Sequence, residues 1–267
     1  MPALTSPYSA LLYHASRFAG EEPWLFHSEG LDWRWHSWGE VARLAAGWAG
    51  HFAGRPSGSR VPFPYRPGLE SIALDLGIMG AGLVSAPSFP GGPRERLEEE
   101  GRGDEGLGRE AGAVVAIDGS PVELGFAELM AMAERVQAEI APARRAGERE
   151  IVVLGGALET PEERAMLTWA TVTGAAVALE PAHELRMATA AWVRPTVFHG
   201  TVEEIAALRA RAEKTKRRRG LPFGRLRTLL VAGGEKLRDE DAAFWQEHGV
   251  RLGRVPSLAA ERHNHGI

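Results

Sequence analysis

The chain has 267 residues, 44% hydrophobic and 25% charged, with a formal net charge of -4 and no cysteine. That size supports one large α/β domain or two lobes with a sizeable core. The lack of cysteine excludes a disulfide framework, a thiolate metal site and a cysteine nucleophile, and the acidic balance gives no electrostatic case for nucleic-acid binding.

Residues 1–10 show no basic region followed by an apolar core. No apolar run approaches the roughly 18 residues that span a bilayer. The expectation is a cytoplasmic protein with no signal peptide and no transmembrane segment.

Taken in chain order, the first elements alternate. A helix is expected over Pro7–Ala19, then short strands over Trp24–His27 and Leu31–His36 around a Ser28–Gly30 turn. Ser37-Trp38-Gly39-Glu40 reads as a capping box. It opens a helix whose apolar positions Val41, Leu44, Ala45, Trp48 and Phe52 recur at helical spacing. Arg60–Tyr65 reads as a strand that must lie at an edge or be irregular, because Pro62 and Pro64 each remove a ladder donor. An apolar helix over Leu69–Ala81 and a strand over Leu83–Ala86 follow.

Composition then shifts. Residues 87–110 are polar, charged and rich in glycine and proline, the pattern of a linker between lobes. Beyond it, strand Ala113–Ile117, helix Val122–Ile140 and strand Ile151–Leu154 are expected. Thr160-Pro161-Glu162-Glu163 combines an N-cap, a proline at the first helical position and a capping-box glutamate, and that helix stops at Gly174. Strands Ala175–Leu179, Thr196–His199, Thr228–Val231 and Val250–Leu252 alternate with helices Ala182–Trp192, Val202–Ala212 and Arg238–His248. Such alternation implies mostly parallel strands with helices on the faces. The expected organisation is a first lobe over 1–86, the linker over 87–110 and a second lobe over 111–267.

Four stretches carry a resemblance. They are Trp35-His36-Ser37-Trp38-Gly39-Glu40-Val41-Ala42, Ser71 to Gly82, Arg194-Pro195-Thr196-Val197-Phe198-His199-Gly200, and Leu226 to Leu237 with its Gly233-Gly234-Glu235. In order and spacing the chain resembles the N-terminal region of the adenylate-forming (AMP-binding) superfamily, and within it the long-chain fatty-acid–CoA ligases. The resemblance implies an α/β fold of mostly parallel sheets flanked by helices, in two lobes, with the family's C-terminal domain absent. It also implies that Gly233, Gly234 and Glu235 are remnants of an adenylate site, and that Glu261 matches a glutamate which in the family helps bind magnesium.

The family's phosphate loop is rich in Ser, Thr and Gly and ends in Pro-Lys-Gly. By collinearity its place here follows Ala113–Ile117, where Asp118-Gly119-Ser120-Pro121-Val122-Glu123-Leu124-Gly125-Phe126 stands. Asp118, Gly119, Ser120 and Gly125 occupy the position, with one hydroxyl and no lysine, and the segment reads as a strand-to-helix turn. Asp118 and Glu123 add negative charge; at about 4 Å and near-surface screening, like charges repel by roughly 4 kcal/mol. Around Glu261, Ser257 and Ala260 replace the family's tyrosine and threonine.

The other features have bland readings beside functional ones. The basic run Lys214, Lys216, Arg217, Arg218 and Arg219 reads as a solvated loop or an anion contact. His263 and His265 read as a tail or metal ligands, and Trp24, Trp33, Trp35, Trp38 and Trp48 as core, an interface or an apolar slot. Gly155-Gly156 after a strand hints at a phosphate turn. No catalytic residue, metal or cofactor is expected. The leading expectation is a degenerate, non-ligating relative that acts as a binding or regulatory partner of related biosynthetic enzymes. A ligase using ATP and magnesium, alone or with a partner, and a non-enzymatic binder of an acyl or aromatic carboxylate stay open.

Overall fold

The computed structural model describes residues 4–18, 21–29, 32–88, 111–117, 120–219, 224–232 and 236–255, with the backbone alone at 183 and 215–219. The first stretch holds α1 (Pro7–Arg17), β1 (Pro23–Glu29), β2 (Asp32–Ser37), α2 (Trp38–Phe52), β3 (Arg60–Pro64), α3 (Leu69–Gly80) and β4 (Val84–Ser88). Next come β5 (Gly112–Ile117), β6 (Ser120–Gly125), α4 (Phe126–Ile140), β7 (Ile151–Leu154), α5 (Pro161–Thr173) and β8 (Ala176–Leu179). The chain continues through α6 (His183–Val193), β9 (Val197–Gly200), α7 (Val202–Arg219), β10 (Thr228–Val231), α8 (Asp239–Glu247) and β11 (Arg251–Arg254).

Local chemistry sets the ends of these elements. Ser6 caps α1 and exchanges hydrogen bonds with Ser9. Ser37 Oγ accepts the Glu40 N–H at 3.1 Å at the start of α2. Glu40 does not complete the expected box: its carboxylate takes the His36 Nδ1 instead, at 2.9 Å. Thr160 caps α5, and Gly174 ends it with φ 78°, a left-handed conformation that glycine adopts without steric cost.

The strands form two sheets. One has seven strands in the order β11-β10-β9-β7-β8-β1-β2, parallel throughout except for β2. The other has four in the order β3-β4-β5-β6, parallel except for β6. The expected edge position of the proline-bearing strand β3 is observed.

Three expectations need correction. The sheets do not divide at residues 87–110, because β1 and β2 join β7–β11, while β3 and β4 join β5 and β6. Val177 on β8 pairs with Leu25 on β1, so the early hairpin extends the apolar surface of the later strands. Residues 120–125 are not a strand-to-helix turn but a strand, paired with β5 from Gly112↔Gly125 to Ile117↔Ser120; the helix begins at Phe126 rather than Val122. The helix after β9 runs to Arg219, through the basic run, where a loop was expected.

The core is shared between the sheets. α5 is buried on nearly every side and packs against α1, α4, β5, β7 and β8. α2 and α3 approach closely at Gly77, where a Cβ would lie 2.5 Å from Trp48 Cβ and 2.6 Å from Ala45 O. The early tryptophans do not form one slot. Trp24 and Trp38 stack in the core at 4.5 Å, Trp33 stacks on Trp192 at 5.2 Å, and Trp35 and Trp48 are exposed.

Candidate functional site at the first turn of α5

In the seven-stranded sheet the chain passes from β7 to β8 on one side, then crosses to β9 on the other. Strand order reverses between β7 and β9, and open α/β sheets form a crevice beyond the carboxyl ends of such strands. Gly155 and Gly156 leave β7 there, and His199 stands on β9 beside Gly200. The first turn of α5 reaches this point with Glu163 and Arg164.

Glu163 fills the crevice. Its carboxylate accepts the Gly155 N–H at 3.1 Å and the Gly156 N–H at 2.9 Å, and meets His199 Nδ1 at 3.2 Å. Burial pushes this carboxyl up, but the hydrogen bond and charge of His199, the Arg186 guanidinium and the Gly155 N–H outweigh it. The group is held below the ordinary carboxylate range. An ionised carboxylate only accepts, so His199 donates from Nδ1; its buried Nε2 has no partner among the described residues. Arg186 lies against Gly155, in the space a Cβ would need, and pairs with Glu204 at 2.8 Å. The glycine pair that hinted at a phosphate turn thus has both N–H groups directed at the protein's own carboxylate.

Arg164 faces the other sheet. Its Nη1 meets Asp75 Oδ2 of α3 at 2.6 Å, with both side chains essentially fully buried. Ser85 Oγ on β4 donates to Asp75 Oδ1. Arg164 Nε and Nη2 make up the remaining edge of the guanidinium and have no partner among the described residues. Tyr65, which follows β3, is buried nearby; burial first, then the Asp75 charge, pushes its hydroxyl well above the ordinary range. Burial and Glu163 together raise the Glu159 carboxyl, against the opposing pull of a backbone hydrogen bond and Arg164. Pro67 and Tyr65 approach Gly156, so the loops leaving β3 and β7 meet at this turn.

Of the residues singled out in the sequence, Asp118, Gly119, Gly233, Gly234, Glu235, Glu261, His263 and His265 lie outside the described residues. Ser120 opens β6 opposite Ile117. Gly125 closes β6 opposite Gly112, and its N–H donates to Glu128 Oε2 at 2.9 Å to start α4. Glu123, expected to add negative charge at the phosphate-loop position, is ion-paired with Arg60. Sequence reasoning missed Asp75, Arg164 and His199 and took Glu163 only as a capping residue. The available signal was a lone carboxylate, Asp75, inside the apolar run Ile72 to Met79. Among the described residues no group of three or more His, Cys, Asp or Glu could hold a metal ion, and no helix is long and apolar enough to cross a membrane.

Comparison with solved structures follows this geometry. The chain superposes over 95% of its length on the nonribosomal peptide synthetase FmoA3 in its AMPPNP-bound form, with a TM-score of 0.75 at 16% identity. The fold is that of the N-terminal region of adenylate-forming enzymes. A fatty acyl-adenylate ligase from L. pneumophila, in complex with acyl adenylate and pyrophosphate, gives a TM-score of 0.69 at 12% identity over 93% of the chain. The inhibitor-bound N-terminal domain of FACL13 from Mycobacterium tuberculosis gives 0.70 at 12% identity over 96%. This adenylate-forming fold spans 32% of FmoA3, 54% of the L. pneumophila ligase and 76% of the FACL13 domain. No family model and no curated protein matches the sequence.

Proposed function

We propose that this chain is a degenerate adenylate-forming-fold protein that does not ligate, and that it acts as a binding or regulatory partner of related biosynthetic enzymes. The observation that carries this reading is the β5–β6 hairpin. Its strands pair as far as Ile117↔Ser120, which leaves two residues, 118 and 119, where the family resemblance places a phosphate-wrapping loop. A loop that holds a triphosphate needs several backbone N–H groups and a cation around it. The Gly155 and Gly156 N–H groups are no substitute, since Glu163 already takes them. Arg186 is likewise paired with Glu204. A phosphate entering the crevice would meet the ionised Glu163, and in a partly dehydrated site that repulsion is several kcal/mol. ATP and magnesium have no part in this reading.

Pyrophosphate release from ATP, measured with the purified chain and a panel of fatty and aromatic acids, tests this reading. No release above the protein-free rate is expected; release that depends on an acid would overturn it.

A further inference from the structure

β2 ends the seven-stranded sheet, and no described strand pairs with its outer edge. Natural edge strands are blunted by proline, by charged side chains, lysine above all, or by a bulge. β2 reads Asp32-Trp33-Arg34-Trp35-His36-Ser37, with no proline and no lysine, and its two charges, Asp32 and Arg34, are of opposite sign. Its pairing with β1 is unbroken from Glu29↔Asp32 to Leu25↔His36; the one irregularity lies at the Pro23 end. Beside this edge lies an aromatic patch. Trp33 stacks on Trp192 of α6 at 5.2 Å, and Trp35 and Trp192 are 54% and 56% exposed. Leu185, two helical turns before Trp192, is exposed as well.

The charges on the strand choose a partner. In an antiparallel pair made by two copies of β2 about a two-fold axis, the residue on the axis meets its own counterpart, and its neighbours meet each other. Centred on Asp32 or on Arg34, the pairing sets like charges face to face. Centred on Trp35, it sets Arg34 against His36. Only the pairing centred on Trp33 sets Asp32 against Arg34 of the other copy, and it does so twice. The same register puts Trp33 opposite Trp33 and Trp35 diagonal to it, within reach for aromatic contact across the strands. We propose that the outer edge of β2 is a self-association surface, where two copies of this chain join their sheets in the Trp33-centred register, sealed by Trp33, Trp35 and Trp192. The surface is isologous, so the assembly closes as a dimer and does not propagate.

Charge reversal tests the register. Sedimentation equilibrium of the full chain is expected to show a dimer. Asp32→Arg and Arg34→Asp would each place like charges opposite one another and raise the dimer dissociation constant by about tenfold or more. Mixing the two variants restores both opposite-charge pairs and gives a one-to-one heterodimer, and the double variant regains the pairs by dimerising with itself. Both side chains are exposed, and an unchanged unfolding midpoint separates lost association from lost folding. A wild-type chain that stays monomeric at about 100 µM overturns the proposal. So do single variants that dimerise like wild type, or a mixture that does not associate.

Discussion

Asp75→Asn removes the charge that balances Arg164 and keeps the shape of the side chain. The pair has an N···O distance of 2.6 Å, with Arg164 at 1% and Asp75 at 0% exposure. Solvent therefore cannot replace the lost carboxylate, and the amide oxygen cannot carry its charge. Breaking one partner of a buried pair costs about 3–5 kcal/mol, because the other charge is left uncompensated. Two further donors of Arg164 already lack protein partners, which places the cost toward the upper end of that range. With a urea dependence of about 3 kcal/mol/M for a chain of this size, the unfolding midpoint falls by roughly 1–1.7 M. Replacing both residues, as Asp75→Leu with Arg164→Met, removes both burial penalties and is expected to cost less than Asp75→Asn alone. Urea titration followed by tryptophan fluorescence reads both. An Asp75→Asn midpoint within about 0.3 M of wild type would refute the reasoning, as would a double variant less stable than the single one.

Three further outcomes follow from the same geometry. Glu163→Gln leaves one of the Gly155 and Gly156 N–H groups without an acceptor and weakens the His199 contact, so thermal or urea unfolding should reveal a loss of about 2–3 kcal/mol. Gly77→Ala forces α2 and α3 apart at Ala45 and Trp48, at about 1–3 kcal/mol by the same assay, whereas Gly47→Ala in open space does not. Burial holds the His14 imidazole below its ordinary value, with Nε2 at 3.0 Å from Val172 O. The unfolded chain then takes up the proton first. Stability should be complete above about pH 6.5 and decline as pH falls from there toward the folded value, and His14→Gln should flatten that part of the profile.

Much of the fold was legible because its signals are local. The Thr160-Pro161 start and Gly174 stop bounded α5, and the run Thr228-Leu229-Leu230-Val231, three apolar residues behind a β-branched threonine, gave β10 its observed limits. The sheet partners were not legible. Nothing in Trp24 to His36 announces pairing with a strand some 150 residues later, since Leu25↔Val177 is decided by a shared apolar face rather than by local pattern. Val122 to Gly125 was misread for a related reason: with one β-branched residue the stretch carries little strand signal of its own, and pairing with Gly112–Val115 decides. The extension of α7 to Arg219 follows from the good helix propensity of lysine and arginine, which outweighs their mutual repulsion. At the candidate site, Thr160 and Glu163 matched a capping box. The carboxylate instead turns toward Gly155 and Gly156, a choice made by the strand end that α5 packs against.

Titration calorimetry of the chain with ATP in excess magnesium addresses the central question of whether this scaffold can hold a triphosphate. With a two-residue link between β5 and β6, and with Glu163 on the glycine N–H groups, no saturable heat is expected up to about 1 mM nucleotide. A magnesium-dependent isotherm with a dissociation constant of about 10 µM or tighter would contradict it.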